Sequence, residues 1–162
     1  MENRPVYKKR KTVIGWLFEI STIGFLLLSF CYYLFIRIGS SKQHFDSYEN
    51  SNAVIIVLFC TGIFTYIILS ILSKHPRIFN FPIEVSNNNY ESLYKIGINI
   101  INSLKFVISV FISFMIITII NDFSRSLTIT SIILFFLLII IIPIVGIFKM
   151  YKLKEKNKAY SQ

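Results

Sequence analysis

The fold is decided by KHPRIFNFPIEVSNNNYESLY, residues 74–94, which separates two halves that each have the composition of a membrane hairpin. Pro76 ends the helix before this stretch, because proline lacks the N–H that a helix interior requires. Apolar and polar residues interleave from Ile78 to Val85, a pattern that favours an extended segment at the level of the lipid headgroups. The sequence therefore predicts a loop over residues 73–95 that lies on the membrane surface.

On both sides of this loop, the composition places the chain in a bilayer. Hydrophobic residues make up 54% of the 162 positions and charged residues 15%, which leaves too little polar surface to enclose the apolar side chains in water. Four windows of about 20 residues are nearly free of charge, the length that a helix needs to cross a bilayer. The predicted helices are residues 13–36, 53–72, 98–120 and 130–148. We predict an all-α fold, an antiparallel four-helix membrane bundle, with residues 1–162 as a single domain.

The basic residues are distributed unevenly between the two sides of the membrane. The segment before the first helix, the central loop and the tail hold 13 Lys and Arg, against 3 in the two other loops. Because basic segments stay in the cytoplasm, both termini and the central loop are predicted to be cytoplasmic. The net charge of +9 thus indicates a partner in the anionic inner leaflet of the lipid bilayer, not a nucleic acid. The predicted location is the inner (cytoplasmic) cell membrane, crossed several times.

Two charged residues lie inside predicted helices, Glu19 in the first and Lys105 in the third. An unpaired carboxylate in hydrocarbon is costly, so Glu19 is either a structural partner of a cation, or protonated, or a proton-linked or ligand-binding group. Lys105 lies at a similar depth, and its side chain either extends to the headgroups or pairs with Glu19.

Polar side chains on the first and third helices are predicted to face the protein interior, because lipid cannot satisfy them. The first stripe follows spacings of four and three, at Gly15, Glu19, Thr22, Leu26, Ser29 and Tyr33. The second consists of Asn99, Asn102, Ser109 and Ser113.

The first outer loop holds a compact group of polar and aromatic residues, His44, Phe45 and Asp46. Neither a third metal ligand nor a nucleophile lies near them, so they predict a solvated turn and not a catalytic or metal site. No cofactor is expected.

The central loop and the helix after it also resemble a known family. HPRIFNFPIEV, then NNNYESLYKIG, then LK resemble the SdpI-like small integral membrane proteins, in which a His/Pro and Phe-Asn-aromatic-Pro segment precedes an Asn, Glu and Tyr pattern. The matching positions are His75, Pro76, Phe79, Asn80, Pro82, Asn89, Glu91, Tyr94, Leu104 and Lys105. The outer-loop His44, Phe45 and Asp46 resemble the family's proline-x-His-Phe-Asn group, with Lys42 and Gln43 where a proline is expected.

This resemblance implies a non-enzymatic membrane protein of immunity or protective type, which binds a membrane-active toxin or peptide, or a membrane partner protein. The alternative is a small transporter or channel subunit that uses Glu19 and the polar stripes and, with only four helices, acts as a homo-oligomer. An enzyme ranks last, since no set of His, Asp, Ser or Cys is clustered. The candidate functional residues are Glu19, His44, Phe45, Asp46, His75, Phe79, Asn80, Pro82, Glu91, Tyr94 and Lys105.

Overall fold

The computed structural model describes residues 13–39, 49–86 and 89–159. Within these ranges the chain forms four long helices, α1 (Val13–Gly39), α2 (Glu49–Lys74), α3 (Tyr90–Ile120) and α4 (Arg125–Ala159). Each of the four is long and apolar enough to cross a membrane. The predicted all-α, antiparallel four-helix bundle is confirmed, and the protein is an integral membrane protein that crosses the bilayer several times.

The helices extend further than the apolar windows predicted. Helix α3 begins at Tyr90 and α4 continues to Ala159, because the flanking segments are rich in Lys, Glu and Leu, which favour helix in water as well as in lipid. Between α2 and α3, a 3₁₀ turn lies over Pro76–Ile78, and the described residues after it, 79–86, form neither helix nor strand. The central loop, predicted over residues 73–95, thus spans residues 75–89 in the structure. We call the end of the bundle that holds this loop the loop end.

Helix α3 is the centre of the bundle. It packs against α1, α2 and α4, whereas α1 and α2 contact each other much less and α4 packs mainly against α3. Its buried positions include Asn102, Ser109, Ser113 and Thr118, small or polar side chains of the kind that hold membrane helices together. Helix α4 buries little of its apolar surface inside the protein, so most of that surface faces lipid.

The predicted polar stripe of α1 faces the interior of the bundle, where Glu19 contacts Tyr66 of α2 and Lys105 of α3. Thr22 and Ser29 are buried, and each donates its hydroxyl hydrogen to a backbone carbonyl of its own helix, Thr22 to Phe18 at 2.6 Å and Ser29 to Leu26 at 2.9 Å. Across the interface, the Ser113 hydroxyl of α3 donates to the backbone carbonyl of Phe25 at 2.9 Å.

The stripe of α3 is only partly as predicted, because Asn99 is exposed. Asn99 lies about nine residues after the start of a helix that begins earlier than expected, nearer to the loop end than the other three stripe positions. Near that end, headgroups and water satisfy an amide, so Asn99 does not need a partner inside the protein.

Candidate functional site

Four side chains from three helices meet between α1, α2 and α3. The Lys105 ammonium forms an ion pair with Glu19, with 2.7 Å between Nζ and Oε1. The second carboxylate oxygen, Oε2, accepts a hydrogen bond of 2.7 Å from the Tyr66 hydroxyl. Lys105 Nζ also lies 3.3 Å from the Ser70 hydroxyl oxygen, to which it donates. These four residues form the charged site of this bundle.

The structure decides between the two sequence-based alternatives for Lys105. Its side chain is 1% exposed, so it does not extend to the headgroups but pairs with Glu19. Its ammonium lies 5.3 Å from the centre of the Tyr66 ring, a distance at which the face of an aromatic ring attracts a cation. A carboxylate, a hydroxyl and a ring therefore replace the water that the ammonium lost on burial.

The two partners of this ion pair are buried to different extents. The Glu19 side chain keeps 32% of its surface exposed, against 1% for Lys105. Glu19 lies six residues after the first described residue of α1, about 9 Å along the helix axis at 1.5 Å per residue. Ser70 lies four residues before the end of α2, so the charged site is in the third of the bundle nearest the loop end.

Helix periodicity explains why the charged site forms where it does. Glu19 is three residues before Thr22 and Tyr66 is four before Ser70, so each pair shares a face of its helix. Both faces meet α3 at Lys105. The sequence showed the spacing of Tyr66 and Ser70 on α2, but nothing in it placed that face opposite Glu19.

Asn102 lies three residues before Lys105, on the same face of α3. It is 6% exposed, and its side-chain oxygen has no hydrogen-bond partner among the described residues. A buried acceptor without a donor destabilises a fold, because it has lost its hydrogen bonds to water without replacing them.

Asn102→Leu is expected to raise the free energy of unfolding by about 1 kcal/mol, since it replaces an unsatisfied amide with an apolar side chain of similar volume. Denaturant titration of the detergent-solubilised protein measures this change. Asn99→Leu is the matched control, because Asn99 is exposed on the same helix and should give almost no change. A loss of stability in Asn102→Leu would mean that the amide has a partner that stabilises the bundle.

The candidates in and after the central loop lie apart from the charged site and fix the loop to α3. Phe79 approaches Gly97 so closely that a Cβ atom at Gly97 would lie 2.7 Å from the Phe79 ring. Tyr94 is fully buried, and its ring centre lies 5.6 Å from that of Phe81. The remaining candidates of this region are exposed at the surface, namely His75, Asn80, Pro82 and Glu91.

Asn89 holds the end of the central loop, a role that the sequence did not predict. Its side-chain oxygen accepts a hydrogen bond of 2.8 Å from the backbone N–H of Ser86. Its amide nitrogen donates one of 3.0 Å to the backbone carbonyl of Glu84. Both hydrogen bonds fix the backbone of the loop just before α3 begins.

The other candidate residues from the sequence do not belong to the charged site or to the central loop. The outer-loop candidates His44, Phe45 and Asp46 are outside the described residues. Among the residues that the structure describes, no three His, Cys, Asp or Glu side chains are grouped as metal ligands would be.

Comparison with known proteins assigns no family to this chain. No family model matches it, and neither a curated protein nor a solved structure is significantly similar to it.

Proposed function

We propose that this chain is a non-enzymatic protein of the inner cell membrane that protects the cell by binding a membrane-active toxin or peptide. The observation that carries the proposal is the charged site, in which the buried Lys105 pairs with Glu19 inside the bundle. An ion pair that is completed by Tyr66 and Ser70 holds three helices together. This arrangement suits a rigid binding protein better than a pathway for ions, which needs charges that exchange partners. The resemblance of the central loop to the SdpI-like proteins supports the same class.

In the proposed orientation, the loop end faces the cytoplasm. Cations are concentrated there, with Lys74 and Arg77 around the start of the central loop and Lys149, Lys152 and Lys154 on α4. Basic residues next to membrane helices are retained on the cytoplasmic side and attracted to anionic lipid. The opposite end, which would face the toxin, is held by a hydrogen bond of 2.9 Å from the Tyr32 hydroxyl to the Asn121 side chain.

The partner proposed here is a peptide that enters the bilayer. Helix α1 exposes Leu27, Leu28 and Phe35, and α4 exposes Phe136 and Leu137, to the surrounding lipid. A peptide inserted in the bilayer meets such faces without crossing an aqueous phase, and it binds them through close packing.

A survival assay tests the protective function. Cells that express this chain should survive exposure to a secreted membrane-active peptide that kills cells carrying an empty vector. Immunoblotting of the membrane fraction confirms that the protein is present at equal levels in each culture. Equal killing of both cultures, with the protein present in the membrane, would contradict the proposal.

The second candidate, a transporter or channel subunit that forms homo-oligomers, is favoured by the partial exposure of Glu19. The buried Asn102 oxygen, which has no hydrogen-bond partner among the described residues, also favours it. In that case, proteoliposomes that contain the purified chain should dissipate an imposed proton or potassium gradient. A Glu19→Gln variant should then remove the flux. Flux in the wild-type protein without protection of cells would replace the first candidate by the second.

A further inference from the structure

A groove opens between the central loop, α3 and α4. Its volume is about 390 Å³, within the range of roughly 300 to 1,000 Å³ that is usual for small-molecule sites. Its walls are formed mainly by Phe81 of the loop, Gly97 and Ile100 of α3, and Pro143, Ile147 and Met150 of α4.

The groove is suited to a hydrocarbon chain. Asn80 is the one lining residue with a polar side chain, and a polar small molecule needs several placed polar groups to fix its orientation. The groove also extends along the membrane normal, since its α4 wall runs from Pro143 to Met150, about 10 Å at 1.5 Å per residue. The Pro143 end of this wall belongs to the apolar run of α4, and the Met150 end borders the basic end of that helix.

A cation lies at the end of the groove nearest the loop end. Pro143, Ile147, Met150 and Lys154 are spaced i, i+4, i+7 and i+11, so all four share one face of α4. Lys154 is exposed and follows Met150 by one helical turn, about 6 Å. An ammonium at this position is at the level of the phosphates of a lipid whose acyl chain lies in the groove.

We propose that the groove binds one anionic phospholipid, with an acyl chain between α3 and α4 and its phosphate at Lys154. The combination of an apolar wall inside the bilayer and a cation one turn beyond it matches both parts of such a lipid. Along α4, the apolar wall comes first and the cation lies nearer to the loop end. This order matches a lipid of the leaflet at the loop end, whose headgroup faces outward. The bound lipid fills space between α4 and the central loop, and so it contributes to holding α4 in place.

Native mass spectrometry of the protein tests this proposal. The purified full chain is equilibrated in micelles with equal amounts of phosphatidylglycerol and phosphatidylcholine, and the lipids that remain bound are counted. We expect one phosphatidylglycerol per chain. Ile147→Trp should reduce its retention about tenfold by filling the groove, a factor that corresponds to about 1.4 kcal/mol. The matched control is Ile144→Trp, since Ile144 and Ile147 are 44% and 40% exposed on the same helix but only Ile147 lines the groove.

The headgroup is tested separately. Lys154→Gln should reduce the preference for phosphatidylglycerol about fivefold, the factor expected for one lysine near an anionic surface. Lys152→Gln, on another face of the helix, should leave the preference unchanged. Lys154 is exposed, so its variant keeps the fold even if Ile147→Trp does not, and thermal unfolding checks both.

Three results would overturn the proposal. The first is equal retention of the two lipids by the wild-type protein. The second is a wild-type level of retention in Ile147→Trp. The third is a groove that holds a peptide or a second copy of this chain in place of lipid. Such a partner would appear as an added mass on the wild-type protein that is lost in Ile147→Trp.

Discussion

Glu19→Gln is expected to lower the free energy of unfolding by about 3 kcal/mol, the cost of leaving one partner of a buried ion pair alone. The reason is the difference in burial across the pair, since the Lys105 side chain is 1% exposed and cannot reach water without leaving its position. Glutamine preserves the shape of glutamate but only one of its two acceptor oxygens, so the loss combines the charge with one hydrogen bond. Denaturant titration in detergent micelles measures it.

Two further variants separate the charge from the packing. Lys105→Met leaves Glu19 without a cation, but this carboxylate is partly exposed and so is less strongly desolvated than Lys105. We therefore expect a smaller loss than in Glu19→Gln. The double variant should recover most of the loss, because an apolar side chain of similar length replaces a buried ion pair at little cost. A loss below about 1 kcal/mol in Glu19→Gln, or a strictly additive double variant, would mean that the two charges are not coupled.

The Glu19→Gln variant also distinguishes a structural from a functional role of Glu19. If the ion pair serves only to hold the helices, the fraction of Glu19→Gln that folds should still protect cells. If Glu19 carries protons or binds a ligand, activity should disappear while the protein is inserted at normal levels. Exchange of the two charges, with Glu19→Lys and Lys105→Glu in one chain, should restore stability in the structural case.

The inward-facing polar positions on α1 were predictable from the sequence because the hydrocarbon leaves them no other partner. Thr22 and Ser29 had to face the protein interior, and both are buried there. Asn99 was predicted to face the interior for the same reason, but it is exposed. It lies nearer to the loop end, where headgroups and water satisfy an amide. A polar residue thus predicts the helix interface only within the apolar part of the bilayer.

The pairing of Glu19 with Lys105 was one of two alternatives in the sequence, and only the tertiary structure decided between them. The choice depends on how α1 and α3 are shifted along each other, which is set by contacts such as that between Ser113 and Phe25. No pattern within a single helix contains this information. For the same reason, the sequence could not show that the buried Asn102 oxygen would have no hydrogen-bond partner among the described residues.

The contacts of the central loop with α4 were also absent from the sequence-based prediction. The predicted fourth helix ended at residue 148, whereas Met150 and Leu153 belong to the apolar cluster that holds Ile83 of the loop. These two residues stand among lysines in the tail, so hydropathy alone assigned them to a solvated segment. Their helical spacing of three places both on the face of α4 that covers the loop.

Tyr94→Ala is the change expected to release the central loop from the bundle. Tyr94 is 0% exposed, and its ring lies between those of Phe81 and Tyr90, with centres 5.6 Å and 5.9 Å away. Truncation of a buried aromatic side chain to alanine costs about 3 to 5 kcal/mol, because it removes apolar contacts and leaves a cavity. Next to Tyr94, the fully buried Leu93 joins the loop residue Ile83 in one cluster, so the loss should spread to the whole loop.

Limited proteolysis measures this release directly, since trypsin cleaves after Lys74 and Arg77 when the chain around them is free to enter the protease. In Tyr94→Ala, cleavage at these sites should become at least about tenfold faster, the factor that corresponds to 1.4 kcal/mol of local stability. Tyr90→Ala is the control, because Tyr90 is only half-buried and its loss should increase cleavage much less. Equal cleavage rates in Tyr94→Ala and the wild-type protein would show that the loop is held without Tyr94, by Phe79 against Gly97 and by the two hydrogen bonds of Asn89.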